Sequence, residues 1–402
     1  MIFKKGEVMN KNSRQFGKLL LRTVVVTALV FSFGLTQDDF EAWAEKDQTA
    51  LSEYSKAQEK AFDDFMKADR EAFNQFKKEI EAKWDKFVES DRNTWVEYSS
   101  DKNTRTAVDF EKGEAKVEVL VSPKEAENQK LVEEKVTQAV SKLVTDRGTS
   151  KDYSSPVEKP KPLTKKPVLE NQVKTRSGKK VTASNAKSFA KEVIKKSPPK
   201  KKRVKGKDRK TRVKVMVSFP LAPDHFQTRT KEVSSDVSKY ARKYDVPNEL
   251  VYAVIHTESA FNPKAKSHIP AFGLMQIVPK FAGRDAYNYI YKKDGIPKPN
   301  FLYNRTNNIM MGVAYLHILE TRYWSKVKDP RSRQICVIAS YNTGAGNVAK
   351  VFTGTTSPRK ALPKINRMNY DRVYNSLKRK LPYKETRDYI ERVTRRIPMY
   401  KN

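Results

Sequence analysis

Apolar residues along this chain change their spacing twice, and each spacing predicts a different kind of element. In the first stretch they recur every eleven positions in two tracks set three apart. One track is Phe40, Leu51, Phe62, Phe73, Trp84 and Trp95; the other is Trp43, Tyr54, Phe65, Phe76, Phe87 and Tyr98. Eleven residues over three turns is 3.67 per turn, which predicts over 37–98 a long helix with an almost straight aromatic stripe, or helices drawn from one. A continuous helix of that length would reach on the order of 80 Å. Lys, Glu, Asp, Gln and Ala fill the other positions and form a solvated face. The stripe reads either as packing, in a coiled coil or on the protein's own domain, or as a spacer or surface-binding helix.

From 99 to 220 the period drops to two in "KVEVLVS" (Lys116 to Ser122) and "RVKVMVSF" (Arg212 to Phe219), which read as half-buried strands. Leu131, Val132, Val136, Val140, Leu143 and Val144 keep helical spacing, and "SNAKSFAKEVIKK" predicts a second helix capped by Ser184 or Asn185. The result is a small α/β domain. Within it, "SSPVEKPKPLTKKP" reads as a disordered basic insertion, and "SPPKKKRVKGKDRK", Ser197 to Lys210, as a solvated basic loop.

In 221–402 the helical period returns. Pro247 suits the first turn of a helix whose apolar stripe is Leu250, Val251, Val254 and Ile255, and Asn262-Pro263 stops it. Glu258 lies four residues past Val254 on the same row, so the helix carries a carboxylate to the core side. A glutamate half-buried at a helix end has its pKa raised by desolvation, as a general acid near neutral pH requires. A buried glutamate satisfied by a backbone cap or an arginine would give the same pattern.

Composition narrows the setting. The 402 residues carry 81 Lys+Arg against 47 Asp+Glu, a formal charge of +34, which calls for an acidic partner such as nucleic acid, an anionic membrane face or an anionic polymer. No nucleic-acid module accompanies that charge, so no nucleic-acid partner is expected. The single cysteine, Cys336, sits in the apolar run "QICVIAS" and reads as a buried small hydrophobe; neither an internal disulfide nor a CxxC metal site can form. Near the N-terminus, Thr23 to Leu35 is apolar and uncharged behind a basic start, the pattern of an export signal occupying 1–36, with cleavage after Gly34 or retention as an anchor.

Downstream of Glu258 stand "AFGLMQIVPKFAG", "ASYNTGAGNVAKVF" and "PYKETRDYIERV". Gly273, Gly344 and Gly346 permit turns and close approach of a ligand, while Gln276, Tyr341 and Asn342 offer hydrogen-bonding groups beside apolar surface. Together "ESAFNPKAKS", "GLMQI", "SYNTGAG" and "ETRDYI", in this order and with these gaps, resemble the lytic transglycosylases of bacterial cell walls. Upstream, "WVEYSSDKNTRTAVDFEKGEAKVEV" and "VMVSFPLAPDHFQTRTKEV" are similar to the amino-terminal domain of the membrane-bound C-type lytic murein transglycosylases.

The resemblance, which covers about Trp95 to the C-terminus, implies a C-terminal lysozyme-like α domain over 221–402; with the small α/β domain and the long N-terminal helical repeat read from the spacing, the expected protein is mostly α. It implies cleavage of peptidoglycan glycan strands between N-acetylmuramic acid and N-acetylglucosamine with 1,6-anhydro products, Glu258 serving alone as acid and base. Ser267 would orient the glutamate region, Gln276 line the cleft, Tyr341 hold the acid or the sugar, Asn342 support the turn at Tyr341, and Glu385 brace the far wall. No metal or cofactor is implied. The expected location is the periplasm or cell envelope, with inner- or outer-membrane association through the N-terminal segment. Membrane-bound relatives carry a lipidated cysteine after the signal and this sequence has none there, so no lipoprotein anchor is expected. Val278 and Ser340 stand where methionine and alanine are frequent in relatives. Two other classes stay open on the residues alone: a goose-type lysozyme-like hydrolase, which shares the single glutamate, and a non-catalytic wall-binding protein.

Overall fold

Helix α1, Gln37–Lys83, contains the first four repeats of the eleven-residue pattern and then stops. The computed structural model describes residues 37–267 and 270–401, so the apolar segment Thr23 to Leu35 lies outside it. At about 1.5 Å per residue the 47 residues of α1 span roughly 70 Å. The stripe is not free. Phe62, Phe65, Phe76 and Ile80 are buried against the rest of the protein, which is the packing alternative of the two readings. The last repeats leave the helix: Trp84 and Phe87 fall in the connection that follows, and Trp95 and Tyr98 on strand β1, Thr94–Tyr98. Their rings explain the turn, because Phe76, Trp84 and Phe87 all gather around Tyr98, with Phe87 stacked on it at 6.0 Å. Trp84 Nε1 donates to the Lys102 carbonyl at 2.8 Å.

Strands β1, β2 (Thr104–Asp109), β3 (Glu114–Val121), β4 (Lys200–Lys205) and β5 (Thr211–Pro220) form one antiparallel sheet in the order β1-β2-β3-β5-β4. Val117 pairs with Val217 and Val119 with Val215, so one face is aliphatic. Two helices, α3 (Gln129–Thr145) after the short α2 (Pro123–Glu127) and α4 (Ala186–Lys196), cover that face with Val132, Val136, Val140, Leu143, Phe189 and Val193. The other face carries Leu120 and Val204 against Ile80 and Trp84 of the α1 end. It also buries an ion pair, Arg105 to Glu118 at 2.6 Å, with the guanidinium 4.4 Å over the Trp84 ring.

Two stretches differ from expectation. Lys200–Lys205 is an edge strand, not a loop: Val204 alone is buried while its lysines face solvent. A lysine-rich edge is a common defence against unwanted strand pairing, and its charge disguises the strand in the sequence. The segment read as a disordered insertion has little regular structure, yet it is packed in place. Pro162 bridges Thr149, the Lys161 carbonyl accepts from the Ser150 N–H at 2.8 Å, Asn300 donates to the Lys159 carbonyl at 3.0 Å, and Leu163 packs against the helical core. These backbone bonds and the one leucine hold in place a stretch whose Pro- and Lys-rich composition suggested no order.

The C-terminal unit is helical throughout. Helices α5 (His225–Tyr244), α6 (Asn248–Ser259), α9 (Arg305–Ile318), α10 (Pro330–Thr343) and α14 (Lys384–Arg396) frame one apolar core. Shorter helices complete it: α7 (Arg284–Tyr291), α8 (Pro299–Tyr303), α11 (Ala345–Thr353), α12 (Pro358–Ile365) and α13 (Tyr370–Lys380). Helix α9 is buried along most of its length; at Gly312 a Cβ would stand 2.3 Å from Met275 Sδ, so only glycine lets the two segments meet. Cys336 is buried in this core, as expected. Helix α1 lies across both units, pairing Asp63 with Lys280 and Glu59 with Arg284 on the helical unit and Glu79 with Lys102 on the sheet.

Candidate active site

Helix α6 ends one residue after Glu258, and what ends it also places it. Ala260 and Phe261 both adopt left-handed backbone, at φ 48° and 61°. Ser259, fully buried, donates through Oγ to the Leu274 carbonyl at 2.8 Å and accepts from the Phe261 N–H at 3.1 Å. The helix end is thereby tied to the "GLMQ" turn. That turn is built around Asn308, whose Nδ2 donates to the Phe272 and Leu302 carbonyls and whose Oδ1 accepts from the Met275 N–H, all at 2.8 Å. Gly273, at φ +74°, allows the approach, since a Cβ there would lie 2.4 Å from Asn308 Nδ2.

Glu258, Ser267, Gln276, Tyr341, Asn342 and Glu385 all line one cleft of about 970 Å³. Glu258 is 4% exposed on its floor. Burial is the largest influence on its carboxyl group and pushes it up to about 7; Arg92 and Arg392 pull the other way, and Glu385 adds to the rise. The Tyr389 hydroxyl, buried close to Glu258, meets no partner with good hydrogen-bond geometry. Arg92, the nearby Tyr389 hydroxyl and Arg392 favour the ionised acid, but they do not offset its burial.

The other expected residues divide by what they touch. Tyr341 does not bond the acid: its hydroxyl donates to the Met275 carbonyl at 2.8 Å, which fixes the ring and leaves its oxygen as an acceptor at the cleft. Gln276, itself left-handed at φ 48°, donates through Nε2 to the Gly273 carbonyl at 2.9 Å, while its Oε1 is buried with no hydrogen-bond partner. Asn342 Oδ1 accepts from Thr386 Oγ1 at 2.7 Å, joining α10 to α14 below the turn. Ser267 stands at the cleft edge, its N–H bonded to the Ala271 carbonyl at 3.2 Å. Glu385 forms an ion pair with Arg92 at 2.5 Å.

Arg92, Asn308, Thr386 and Tyr389 are residues that the sequence reading missed. Arg92 sits in the connection between α1 and β1, three residues before the stretch that opens at Trp95 and far from the motifs around Glu258, and no spacing marks it. A further carboxylate, Asp285, lines the cleft; burial raises it, and the charges acting on it are Arg322 and Arg284 rather than Glu258. Phe281 and Tyr383, 72% and 59% exposed, offer open aromatic faces along the same cleft. Among the described residues no group of three or more His, Cys, Asp and Glu is placed to hold a metal ion.

Residues 236–362 match the transglycosylase SLT domain family, and residues 46–232 match the family described as membrane-bound lytic murein transglycosylase C, N-terminal domain. The first range includes Glu258, Ser267, Gln276, Tyr341 and Asn342; the second includes Arg92 and most of α1. The membrane-bound lytic murein transglycosylase C of Salmonella arizonae is 34% identical over 302 residues, 74% of this chain and 79% of the relative. The protein of that name from Haemophilus ducreyi is 30% identical over 313 residues, 77% of this chain and 80% of the relative. Among solved structures, the 70 kDa soluble lytic transglycosylase of Escherichia coli is 27% identical with a TM-score of 0.34, covering 44% of this chain and 25% of that one.

Proposed function

The chain belongs to the membrane-bound lytic murein transglycosylase C family and is a peptidoglycan lytic transglycosylase; from that premise we propose that Glu258 alone cleaves the bond between N-acetylmuramic acid and N-acetylglucosamine. One observation carries this reading. Glu258 is a buried carboxyl raised to about 7 on the floor of the cleft, while the neighbouring acid, Glu385, is committed to Arg92.

A hydrolase acting on a glycosidic bond ordinarily needs two carboxyl groups, one to protonate the leaving oxygen and one to act as base or nucleophile. Here protonated Glu258 donates to the bridging oxygen as the C1–O bond breaks. As a carboxylate it then takes the proton of the muramoyl 6-hydroxyl, whose oxygen bonds to C1 and closes a 1,6-anhydro ring. The proton lent in the first step returns in the second, and no water is consumed. Because the attacking hydroxyl belongs to the sugar itself, the step is intramolecular and gains effective molarity. Tyr341 and Gln276 line the sugar site, and the open faces of Phe281 and Tyr383 suit the apolar faces of pyranose rings. The charge of +34 draws the enzyme to an anionic wall. Its place is the cell envelope, reached through the apolar segment Thr23 to Leu35 as export signal or anchor; among the described residues no helix is long and apolar enough to cross a membrane.

Mass spectrometry of fragments released from purified sacculi tests the reading. The wild type should release 1,6-anhydro ends, and Glu258→Gln should lose at least about 100-fold of that release while still binding sacculi. Fragments with reducing ends, heavier by one water, would make the protein a muramidase instead.

A further inference from the structure

Among the described residues lining the cleft, Arg92 alone comes from the N-terminal unit. Its backbone is fixed from the catalytic side: Asn262, four residues after Glu258, donates through Nδ2 to the Asp91 and Arg92 carbonyls at 3.1 and 3.2 Å. The same connection is held by Lys266 on Glu89 at 2.9 Å, and by the Asp91 carboxylate, which accepts from the Asn93 and Thr94 N–H groups. From this fixed base the Arg92 side chain reaches Glu385 of α14 at 2.5 Å, with the arginine side chain only 30% exposed.

We propose that Arg92 is a positioning residue of the active site: by pairing with Glu385 across the cleft it keeps a cation, rather than a lone carboxylate, facing the Glu258 carboxyl group. The inference rests on the reading of Glu258 as the acid. Its physical content is a balance of charges. The groups that face Glu258 are Arg92 from the N-terminal connection, Glu385, Tyr389 and Arg392 from α14, and Tyr341 from α10. On α6 itself His256 turns away, toward Tyr400 and Glu111. Arg92 and Arg392 favour the ionised acid, and Glu385 opposes them. Removing Arg92 deletes one cation and uncovers a carboxylate, so both changes favour the protonated form. Removing the charge of Glu385 leaves Arg92 unopposed and favours the ionised form. The two partners of one ion pair must therefore move the acid in opposite directions, which a merely structural contact would not do.

Carboxyl-carbon NMR of the full-length protein labelled at glutamate reads this directly, with the Glu258→Gln variant assigning the resonance. In Arg92→Gln the Glu258 midpoint should rise by about 1 unit, and in Glu385→Gln it should fall by several tenths of a unit to about 1. Arg92→Lys, which keeps the charge, should stay near the wild type and guards against a folding defect in the neutral variant. The alkaline limb of kcat/KM on sacculi should follow: activity is full while Glu258 is protonated and declines as pH passes its midpoint, so the limb moves up in Arg92→Gln and down in Glu385→Gln. Shifts of the same sign, or none beyond about 0.2 unit, would overturn the proposal. If the resonance moves as expected but turnover does not follow it, the electrostatic role of Arg92 stands and Glu258 is not the acid.

Discussion

Two buried charged side chains lie six positions apart, and the protein treats them in opposite ways. Lys264, in the seam between the two units, is 4% exposed and fully partnered: its Nζ donates to the Val96 carbonyl at 3.1 Å, to Glu97 at 3.1 Å and to Asp152 at 2.6 Å. Burial pulls its ammonium down, but Asp152 and Glu97 outweigh that and hold it above its usual range. Glu97 stays ionised, down to about 2, whereas Asp152 is pushed up by burial and by Glu97 beside it, so one cation faces one net anion. Glu258, equally buried on the cleft floor, has Arg92, Arg392 and the Tyr389 hydroxyl favouring its ionised form, and together they do not offset burial. The seam satisfies its charge and joins two units; the cleft offers its carboxyl group too little to offset burial, so the group is raised.

The sharpest way to break this comparison is to remove the satisfied cation. Lys264→Met leaves Glu97 buried without its partner and should cost roughly 3–5 kcal/mol, read as a lower urea midpoint. A cost under about 1 kcal/mol would mean the seam does not depend on the triad. Glu258→Gln should do the reverse. A carboxyl whose folded pKa of about 7 exceeds its unfolded value of 4.5 favours folding fully below about 4.5, and that advantage is lost as pH rises through 7. At pH 8 the neutral glutamine should therefore gain about 3 kcal/mol over wild type, and near pH 4 the gain should vanish. Thermal melts of both proteins across that range decide it.

Asn308 marks the middle of the scale, a neutral buried group with every bond made. Asn308→Ala strands two carbonyls and one N–H and should cost about 1–3 kcal/mol. Because these groups shape the Gln276 turn, KM for glycan should rise more than kcat falls; an unchanged KM would uncouple the turn from the cleft. The smallest effect is expected where charges are solvated. Replacing Lys200 and Lys202 of β4 with glutamine should leave the melting temperature unchanged, while sacculi should release the variant at lower salt than wild type.

The helical unit was the more legible half because its signals are local. The row from Val254 to Glu258 and the Gly273 turn each state their geometry within a few residues, and all six expected site residues meet in one cleft, although the helix stops at Ser259, ahead of Asn262-Pro263, where Ala260 turns left-handed. What stayed hidden is long-range. Arg92 carries no pattern of its own and reaches Glu385 only because Asn262 pins its backbone from another unit. Period eleven announced α1, but no spacing told where Trp84, Phe87 and Tyr98 would prefer one another to a continued helix. Strand β4 was masked by its lysines, although its partner β5 alternated plainly.

Helix α1 also sets an order of events for a chain that emerges amino end first. Glu59 waits for Arg284, a partner 225 residues later, and Asp63 waits for Lys280. Until those arrive, the middle of the aromatic stripe has nothing to lie on. The growing chain thus carries an uncovered greasy ridge through synthesis, a state that invites sticking to other chains. Assembly then returns to the front, when an early-made helix closes over partners made more than two hundred residues later.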